Sequence, residues 1–278
     1  MDTEETRIIL ASDLHDCHID WYGVPTQQRL NRMMEQLRAS CAQTPADYAL
    51  LLGDYSLDFW QWDIGGSWLR EGRSNTRHFV ENYASRFPCP YTMIPGNHEQ
   101  YGEEAFRRVS GFPRQSTVAV GGVVFVMIDT FARDLDPKAH SDGTYAPVDA
   151  GAVRAEMEKH PGKKCFLCAH HFDLEQEGDA FRALLLDERV VALFQGHTHR
   201  SACIPLGAEY GGKCIVQTGN YSYSGEKDPR RCFWGWRELR ITPGRAVSWY
   251  YTPENDALLE GAPYHHAEGR QDRIEWML

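Results

Sequence analysis

Short apolar runs recur along the chain and alternate with segments of helical spacing. Leu30, Met33, Met34 and Leu37 fall at i, i+3, i+4 and i+7, which predicts one buried face of a helix that begins near Thr26. Shorter helices are predicted around residues 79–83 and 181–185, and strands at residues 8–11, 48–52, 91–94, 123–128, 165–169 and 190–194. Because strands that alternate with helices bury a sheet between helical layers, the pattern predicts an α/β sandwich.

The second half of the chain also carries hairpin signals. Gly121-Gly122 and Gly211-Gly212 each separate two strand-like runs, and residues 232–241 and 246–251 resemble a further strand pair. The last stretch is rich in Glu, His and Pro, which predicts an irregular tail. We therefore expect one domain over residues 1–252 and a C-terminal tail over residues 253–278 that packs on the domain or extends from it.

Charge and hydropathy narrow the class of partner. The chain has 29 Lys and Arg against 39 Asp and Glu, for a net charge of -10, which disfavours a nucleic-acid polymer as partner. No apolar run approaches the roughly 20 residues of a membrane-spanning helix. The first residues lack the basic and apolar regions of a signal peptide, so we expect a cytoplasmic protein.

Eight cysteines are present, and a chain of this size is expected to keep them as reduced thiols rather than as a disulfide framework. Cys165 and Cys168 form a C-x-x-C pair, but they lie inside an apolar, strand-like run without a second pair. We therefore expect no zinc or redox role for this pair.

Polar motifs follow five of the predicted strands. In open α/β sheets ligands bind outside the carboxyl ends of the strands, so these motifs are expected to converge on one site. The motifs are Ser12-Asp13-Leu14-His15, Gly53-Asp54, Pro95-Gly96-Asn97-His98-Glu99, His170-His171 and Gln195-Gly196-His197-Thr198-His199.

The side chains in these motifs suggest metal ligands. Imidazole, carboxylate and amide oxygen together suit Mn, Fe or Zn, and the absence of cysteine from the motifs disfavours a structural thiolate site. The D-x-H and H-x-H pairs would each place two donors on the same side of an extended segment, able to chelate one ion. Seven ligands are too many for one tetrahedral ion but suffice for two ions that share a carboxylate. The candidates are Asp13, His15, Asp54, Asn97, His170, His197 and His199.

The order D-x-H, G-D, G-N-H-E, strand-end His and G-H-T-H resembles the calcineurin-like metallophosphoesterase superfamily. The resemblance implies a four-layer α/β sandwich with two central mixed sheets and a dinuclear metal site at the sheet edge. It implies that Asp54 bridges the two ions and that His98 lies close by as a catalytic residue without binding metal. It assigns Asp13, His15 and His199 to the first ion, and Asn97, His170 and His197 to the second. His171 is expected to lie next to the ligands without being one.

Two positions depart from the family pattern. Many members carry G-D-x-x-D, in which the second Asp orients the histidine of G-N-H; here Asp58 comes one residue late, which leaves open whether it orients His98. The similar purple acid phosphatases have a Tyr ligand three residues after the bridging Asp. That position is Leu57 here, so an iron–tyrosinate site is not expected.

The predicted function is metal-dependent hydrolysis of a small-molecule phosphoester, with a hydroxide that bridges the two metals as the nucleophile. A phosphodiesterase comes first, because no Arg or Lys for a dianionic monoester falls in the motifs. A phosphomonoesterase is the alternative, and a non-catalytic scaffold of the same fold is the third reading. His98 is either the general acid or a phosphate-binding group. An aromatic insert at residues 55–68 either contacts substrate or packs a loop, and residues 131–147 form a second candidate lid.

Overall fold

The computed structural model describes residues 5–21, 23–59, 74–133, 142–223, 234–253 and 269–278. Within these residues the strands form two six-stranded mixed sheets, and all six strands predicted from apolar runs are present. The first sheet has the order β12-β11-β10-β1-β2-β3, and the second has the order β4-β5-β6-β7-β9-β8. The strands are β1 (Thr6–Ala11), β2 (Tyr48–Leu52), β3 (Tyr91–Ile94), β4 (Ser116–Val120), β5 (Val123–Ile128), β6 (Cys165–Ala169), β7 (Val190–Gln195), β8 (Cys203–Pro205), β9 (Cys214–Gln217), β10 (Trp236–Thr242), β11 (Arg245–Thr252) and β12 (Gly269–Met277).

In the described part of the chain the three predicted helices are present, together with two further short α-helices. Phe106 is the main buried side chain of one of these two, and Ala and Gly make up much of the other, so neither gives a strong periodic signal. The helices are α1 (Thr26–Gln43), α2 (Asn75–Asn82), α3 (Glu103–Ser110), α4 (Ala150–Glu158) and α5 (Asp179–Leu185).

Three hydrophobic layers hold the sandwich together. Alternate residues of β1 point to opposite faces: Ile9 packs under α1, whereas Ile8 and Leu10 face the second sheet. The second sheet repeats the pattern, with Phe125 in the central layer and Val124 under α4 and α5. Helix, sheet, sheet and helix thus form the four layers that the family resemblance implied, and the α/β sandwich predicted from the pattern is confirmed.

Parallel pairing aligns the strand ends that carry the motifs. In the first sheet β1, β2 and β3 are parallel neighbours, and in the second sheet β5, β6, β7 and β9 are parallel neighbours. The carboxyl ends of β1, β2, β3, β6 and β7 therefore bring their five motifs to one edge of the sandwich.

The C-terminal tail is not irregular throughout. Gly269–Met277 form β12, which pairs antiparallel with β11 at the edge of the first sheet, so the prediction of an irregular tail is wrong for these residues. Ile274 and Trp276 pack against the central core, while charged residues occupy most of the other positions. That polar composition hid the strand. Residues 254–268 lie outside the described part of the chain.

Seven of the cysteines belong to the described residues, and all seven are free thiols. Cys165 and Cys168 are buried in β6, and burial raises the pKa of both thiols. Cys232 lies outside the described residues. Among the described helices, none is long and apolar enough to cross a membrane.

Candidate metal centre

The five strand-end motifs meet, and the seven candidate ligands form two adjoining clusters. We call Asp13, His15 and His199 the first cluster; their ligand atoms all lie within 4.8 Å of one another. Asp54, His170 and His197 are also grouped within 4.8 Å, and Asn97 Oδ1 lies 3.0 Å from both His170 Nε2 and His197 Nδ1. We call Asn97, His170 and His197 the second cluster. A third group within 4.8 Å joins His15 to Asp54 and His98, so Asp54 has neighbours on both sides.

The backbone at the site is left-handed rather than extended. Both members of each D-x-H and H-x-H pair have positive φ, between 43° and 67°, and Asp54 has φ 56°. The prediction of extended chelating pairs is therefore wrong. His197 and His199 also separate, one into each cluster. Left-handed non-glycine residues cost free energy and concentrate at functional sites, where the surrounding structure holds them in place.

Backbone carbonyls orient three of the imidazole rings. His170 Nδ1 donates to the Leu52 carbonyl at 2.7 Å, His15 Nδ1 lies 3.2 Å from the Ser56 carbonyl, and His199 Nδ1 lies against the Tyr223 carbonyl. A carbonyl accepts a hydrogen bond but cannot donate one, so each contact makes Nδ1 the donor and directs Nε2 into the site. The rings are thus held in orientations that suit metal ligands.

The Asp54 carboxylate lies between the two clusters. Its Oδ2 is 3.2 Å from His170 Nε2, 3.7 Å from His98 Nε2 and 4.0 Å from His15 Nε2, while Oδ1 accepts a hydrogen bond from the His98 backbone N–H at 3.2 Å. Burial opposes ionisation of Asp54, yet the neighbouring His170 and His98 hold its pKa well below the usual range. One anionic oxygen therefore faces ligands of both clusters.

The two carboxylate oxygens of Asp13 have different surroundings: Oδ2 accepts hydrogen bonds from the protein, and Oδ1 faces the other residues of the first cluster. Its Oδ2 accepts hydrogen bonds from Ser12 Oγ at 2.5 Å and from the His197 backbone N–H at 2.9 Å. Its Oδ1 is buried without a hydrogen-bond partner among the described residues and lies 3.3 Å from His199 Nε2. A buried carboxylate oxygen of this kind is costly unless a positive charge compensates it, so the donor set fits a cation.

The site stabilises positive charge at two points. Burial lowers the pKa values of His170 and His199, but Asp54 and Asp13 outweigh it, and the pKa of His170 rises to about 9. Burial instead lowers the pKa values of His15 and His197 to about 3. His15 and His197 are thus neutral imidazoles beside ionised carboxylates, whereas His170 and His199 would each release a proton when a divalent metal binds, since a metal requires the neutral ring as ligand.

Glu99 holds two loops of the site together through hydrogen bonds to their backbones. Its place in the G-N-H-E motif did not predict this role. The carboxylate is fully buried and accepts backbone N–H groups of Asp54 (2.8 Å), Tyr55 (3.0 Å), Ser56 (3.1 Å) and Gly96 (2.9 Å). Burial and the nearby Asp54 raise the pKa of Glu99 to about 8, while the N–H donors oppose that shift. Glu99 thereby joins the loop of the bridging carboxylate to the loop of Asn97.

We expect Glu99→Ala to destabilise the protein strongly, because it leaves four buried backbone N–H groups without an acceptor. The free energy of unfolding should fall by roughly 3–5 kcal/mol, measured by urea denaturation. Glu104→Ala is the matched control, since Glu104 is exposed in α3 and its loss should cost less than about 0.5 kcal/mol. Equal effects of the two substitutions would contradict this role for Glu99.

The described hydrogen bonds of Asp58 differ from those of the second Asp of G-D-x-x-D, which orients the histidine of G-N-H. Its carboxylate accepts the backbone N–H groups of Asn75 (2.6 Å) and Thr76 (3.0 Å) at the start of α2, and it bonds Tyr101 OH. Besides Asp54, a carboxylate that faces His98 is that of Asp142, whose Oδ1 lies 3.6 Å from His98 Nδ1. Asp142 belongs to the second candidate lid, and its distance in sequence from every motif left it without a signal.

Aromatic residues form one wall of the site. The Phe131 ring lies 5.7 Å from the His170 ring and 6.1 Å from the His197 ring, and the His171 ring lies 4.5 Å from the His197 ring in a tilted arrangement. Tyr145, which packs on both Phe131 and His171, is anchored through its hydroxyl to Glu177. The described part of residues 131–147 thus lies against the second cluster.

The first residues of the aromatic insert pack into the protein. Tyr55 stacks on Phe79 of α2 at 5.3 Å, and Phe59 packs against Tyr101 at 4.7 Å. Of the two roles considered for the insert, these two side chains therefore have the one in which they pack a loop against the protein, and not the one in which they contact substrate. Residues 60–73, which include Trp60, Trp62 and Trp68, lie outside the described part of the chain.

Comparison with known proteins places this geometry in a family. A model of the calcineurin-like phosphoesterase family matches residues 6–201. The chain is similar to the purple acid phosphatase PPD1 from yellow lupin (Lupinus luteus) seeds, with a TM-score of 0.55 and 11% identity over 99% of this chain and 54% of the lupin chain. It thus spans about half the length of that enzyme.

A second structural neighbour is GAP50, the anchor in the inner membrane complex of Plasmodium. The TM-score is 0.53, with 11% identity over 96% of this chain and 90% of GAP50. At this identity the two structures establish the fold alone. No curated protein sequence matches the chain significantly.

Proposed function

Because the chain belongs to the calcineurin-like phosphoesterase family, we propose that it is a metal-dependent phosphoester hydrolase that acts first of all on phosphodiesters. The observation that carries the proposal is the position of Asp54 Oδ2, which faces His15 of the first cluster and His170 of the second. That arrangement suits a carboxylate shared by two ions. Mn, Fe and Zn all accept this mixture of imidazole, carboxylate and amide ligands.

The first ion would be held by the first cluster and the second by the second cluster, with Asp54 common to both. Two divalent ions bound there would polarise a phosphoryl group from two sides and lower the pKa of water beside it. Asp13 and Asp54 contribute two negative charges, so two ions leave the centre net positive within an acidic protein. Such a centre attracts an anionic ester.

His98 is the residue best placed to handle a proton. Its side chain is 11% exposed, and its Nε2 lies 3.7 Å from Asp54 Oδ2. We assign it the role of donating a hydrogen bond or proton to the leaving oxygen of the ester. Phe131 and Tyr145 form an apolar wall that limits access of water to one side of the second cluster.

Charge at the rim favours a diester over a monoester. A monoester is a dianion near neutral pH and needs fixed positive charge, whereas a diester carries a single negative charge. Among the described residues, the exposed Asp142 lies 3.6 Å from His98 Nδ1, and its carboxylate repels a dianion more strongly than a monoanion. A phosphomonoesterase therefore remains the second candidate.

The test compares bis-p-nitrophenyl phosphate with p-nitrophenyl phosphate, with Mn²⁺, Zn²⁺ or Fe²⁺ added to the metal-free protein. We expect kcat/KM to be higher for the diester, and exhaustive chelation to abolish hydrolysis of both. The His199→Ala variant, prepared identically, controls for contaminating phosphatases. A higher kcat/KM for the monoester would favour the phosphatase, and hydrolysis that survives chelation would contradict metal-dependent chemistry.

A scaffold role is the candidate from another class, since GAP50 shares the fold and is described as an anchor. A protein that binds two ions but hydrolyses neither ester would favour the scaffold. The complete ligand set argues for the enzyme.

A further inference from the structure

Two buried arginines stand behind the candidate centre without contributing a ligand. Arg29 lies on α1 and is fully buried; Arg114 lies between α3 and β4 and is 3% exposed. Neither side chain is directed at the ligand atoms. Each donates instead to backbone carbonyls of loops that carry or support ligands, and each does so behind a different cluster.

Arg29 donates hydrogen bonds to the backbone of the loop that carries Asp13 and His15, on the side away from the ligand atoms. Its Nη1 donates to the Leu14 carbonyl at 2.7 Å, and its Nη2 donates to the His15 carbonyl at 2.9 Å. The Trp21 ring covers the guanidinium at 5.1 Å. Burial lowers the pKa of Arg29 only to about 10, so the group stays charged at neutral pH.

The same guanidinium also holds the segment that completes the first cluster. Arg29 Nη1 donates to the Tyr221 carbonyl, and the next residues turn back to the ligands. Ser222 Oγ donates to the Asp13 carbonyl at 2.7 Å, and the Tyr223 carbonyl accepts from His199 Nδ1. One side chain thus joins the two segments that position all three residues of the first cluster.

Arg114 has the equivalent place behind the second cluster. It pairs with Asp129 through Nε at 2.6 Å and Nη2 at 3.2 Å, and its Nη1 donates to the carbonyls of Glu99 (3.0 Å) and Tyr101. Its Nη2 also donates to the Phe131 carbonyl at 3.2 Å. Arg114 therefore joins the Asn97 loop to the Phe131 wall that packs on His170 and His197.

A planar guanidinium suits this task better than other side chains. Its fork of donors binds several carbonyls at once in fixed geometry, whereas a lysine ammonium acts as a single point charge. The need is greatest at the first cluster, where Asp13, His15 and His199 all have left-handed backbone. Hydrogen bonds that hold the carbonyls of these loops in place keep the strained backbone from relaxing to a more favourable φ and ψ.

We infer that Arg29 and Arg114 are positioning residues, Arg29 for the ion of the first cluster and Arg114 for the ion of the second. The inference rests on the two-ion site of the proposed function. It is tested on metal binding, which does not require that the protein hydrolyse any ester.

The experiment measures Mn²⁺ bound per chain by equilibrium dialysis for Arg29→Met and Arg114→Met. Each variant should bind one of the two ions roughly 10–100-fold more weakly, the usual cost of losing a residue that orients ligands. Arg7→Met is the matched control: Arg7 is also buried, pairs with Glu238 and donates to the Ser40 carbonyl at the far end of α1. It should bind both ions with unchanged affinity.

Double variants identify which ion is affected. In a His199→Ala background the first ion is already weakened, so Arg29→Met should add little, while Arg114→Met should weaken the remaining ion. A His170→Ala background should give the reverse. Where a Met variant does not fold, as judged by circular dichroism, the Lys variant at that position replaces it, since it keeps the charge but loses the fork.

Two results would overturn the inference, and they are distinguishable. Wild-type protein that binds two ions, with Arg29 and Arg114 variants no weaker than the Arg7 variant, contradicts the positioning role alone. Wild-type protein that binds no Mn²⁺ contradicts the two-ion site and the inference together.

Discussion

Asp54→Asn should weaken the binding of both metal ions, whereas His199→Ala should chiefly weaken one. The reason is geometric: Asp54 Oδ2 faces His15 and His170, which belong to different clusters, while His199 belongs only to the first. An amide keeps the shape but loses the negative charge that both ions would share. We expect affinity for each ion to fall by at least about 10–100-fold, measured as metal bound per chain at graded free Mn²⁺.

Asp58→Asn is the control that separates a metal effect from a folding effect. Asp58 is a buried carboxylate four residues away, but its hydrogen bonds go to the start of α2 and to Tyr101. Its substitution should lower the free energy of unfolding and leave the affinity for metal intact. If Asp54→Asn weakens only one ion, Asp54 is not the bridge.

His98→Ala should slow hydrolysis by an amount that depends on the leaving group. A p-nitrophenolate is stable as an anion and needs little help to depart, whereas an alkoxide needs a proton. If His98 donates that proton, the variant should lose roughly a hundredfold more in kcat/KM on an alkyl ester than on an aryl ester. The measurement is kcat/KM for both substrates with metal content determined in parallel.

The alternative roles of His98 give different results. If both substrates slow by the same factor while two ions remain bound, His98 binds the phosphate and is not the acid. If metal is lost, the placement of His98 outside the metal ligands is wrong, since alanine keeps the backbone N–H that donates to Asp54 and removes only the ring, whose Nε2 lies 3.7 Å from Asp54 Oδ2. Asp142→Asn is a useful companion, since Asp142 faces the other ring nitrogen of His98.

The sequence predicts where the ligands lie because apolar runs of neighbouring residues show where each strand ends, and the ligands follow those ends. Asp13 and His15 follow β1, and His170 follows β6, so parallel pairing alone brings their loops to one edge. The same logic located both sheets, since apolar runs and helical spacing depend on neighbours close in sequence. The family resemblance supplied the partition into two clusters.

Features that depend on long-range contacts were not predicted. The left-handed backbone of Asp54 is held by Glu99, a residue 45 positions away that shows no pattern beyond its motif. The strand β12 depends on its antiparallel pairing with β11 at the edge of the first sheet. Its polar composition alone does not indicate a strand. Asp142 approaches His98 only through the path of its loop, which no local rule specifies.

The most direct test of the two-ion site is the anomalous scattering of crystals grown with Mn²⁺. The account predicts two peaks about 3.5–4 Å apart, with Asp54 between them. One peak should be bounded by Asp13, His15 and His199, and the other by Asn97, His170 and His197. A single peak, or two peaks that do not share Asp54, would contradict the account.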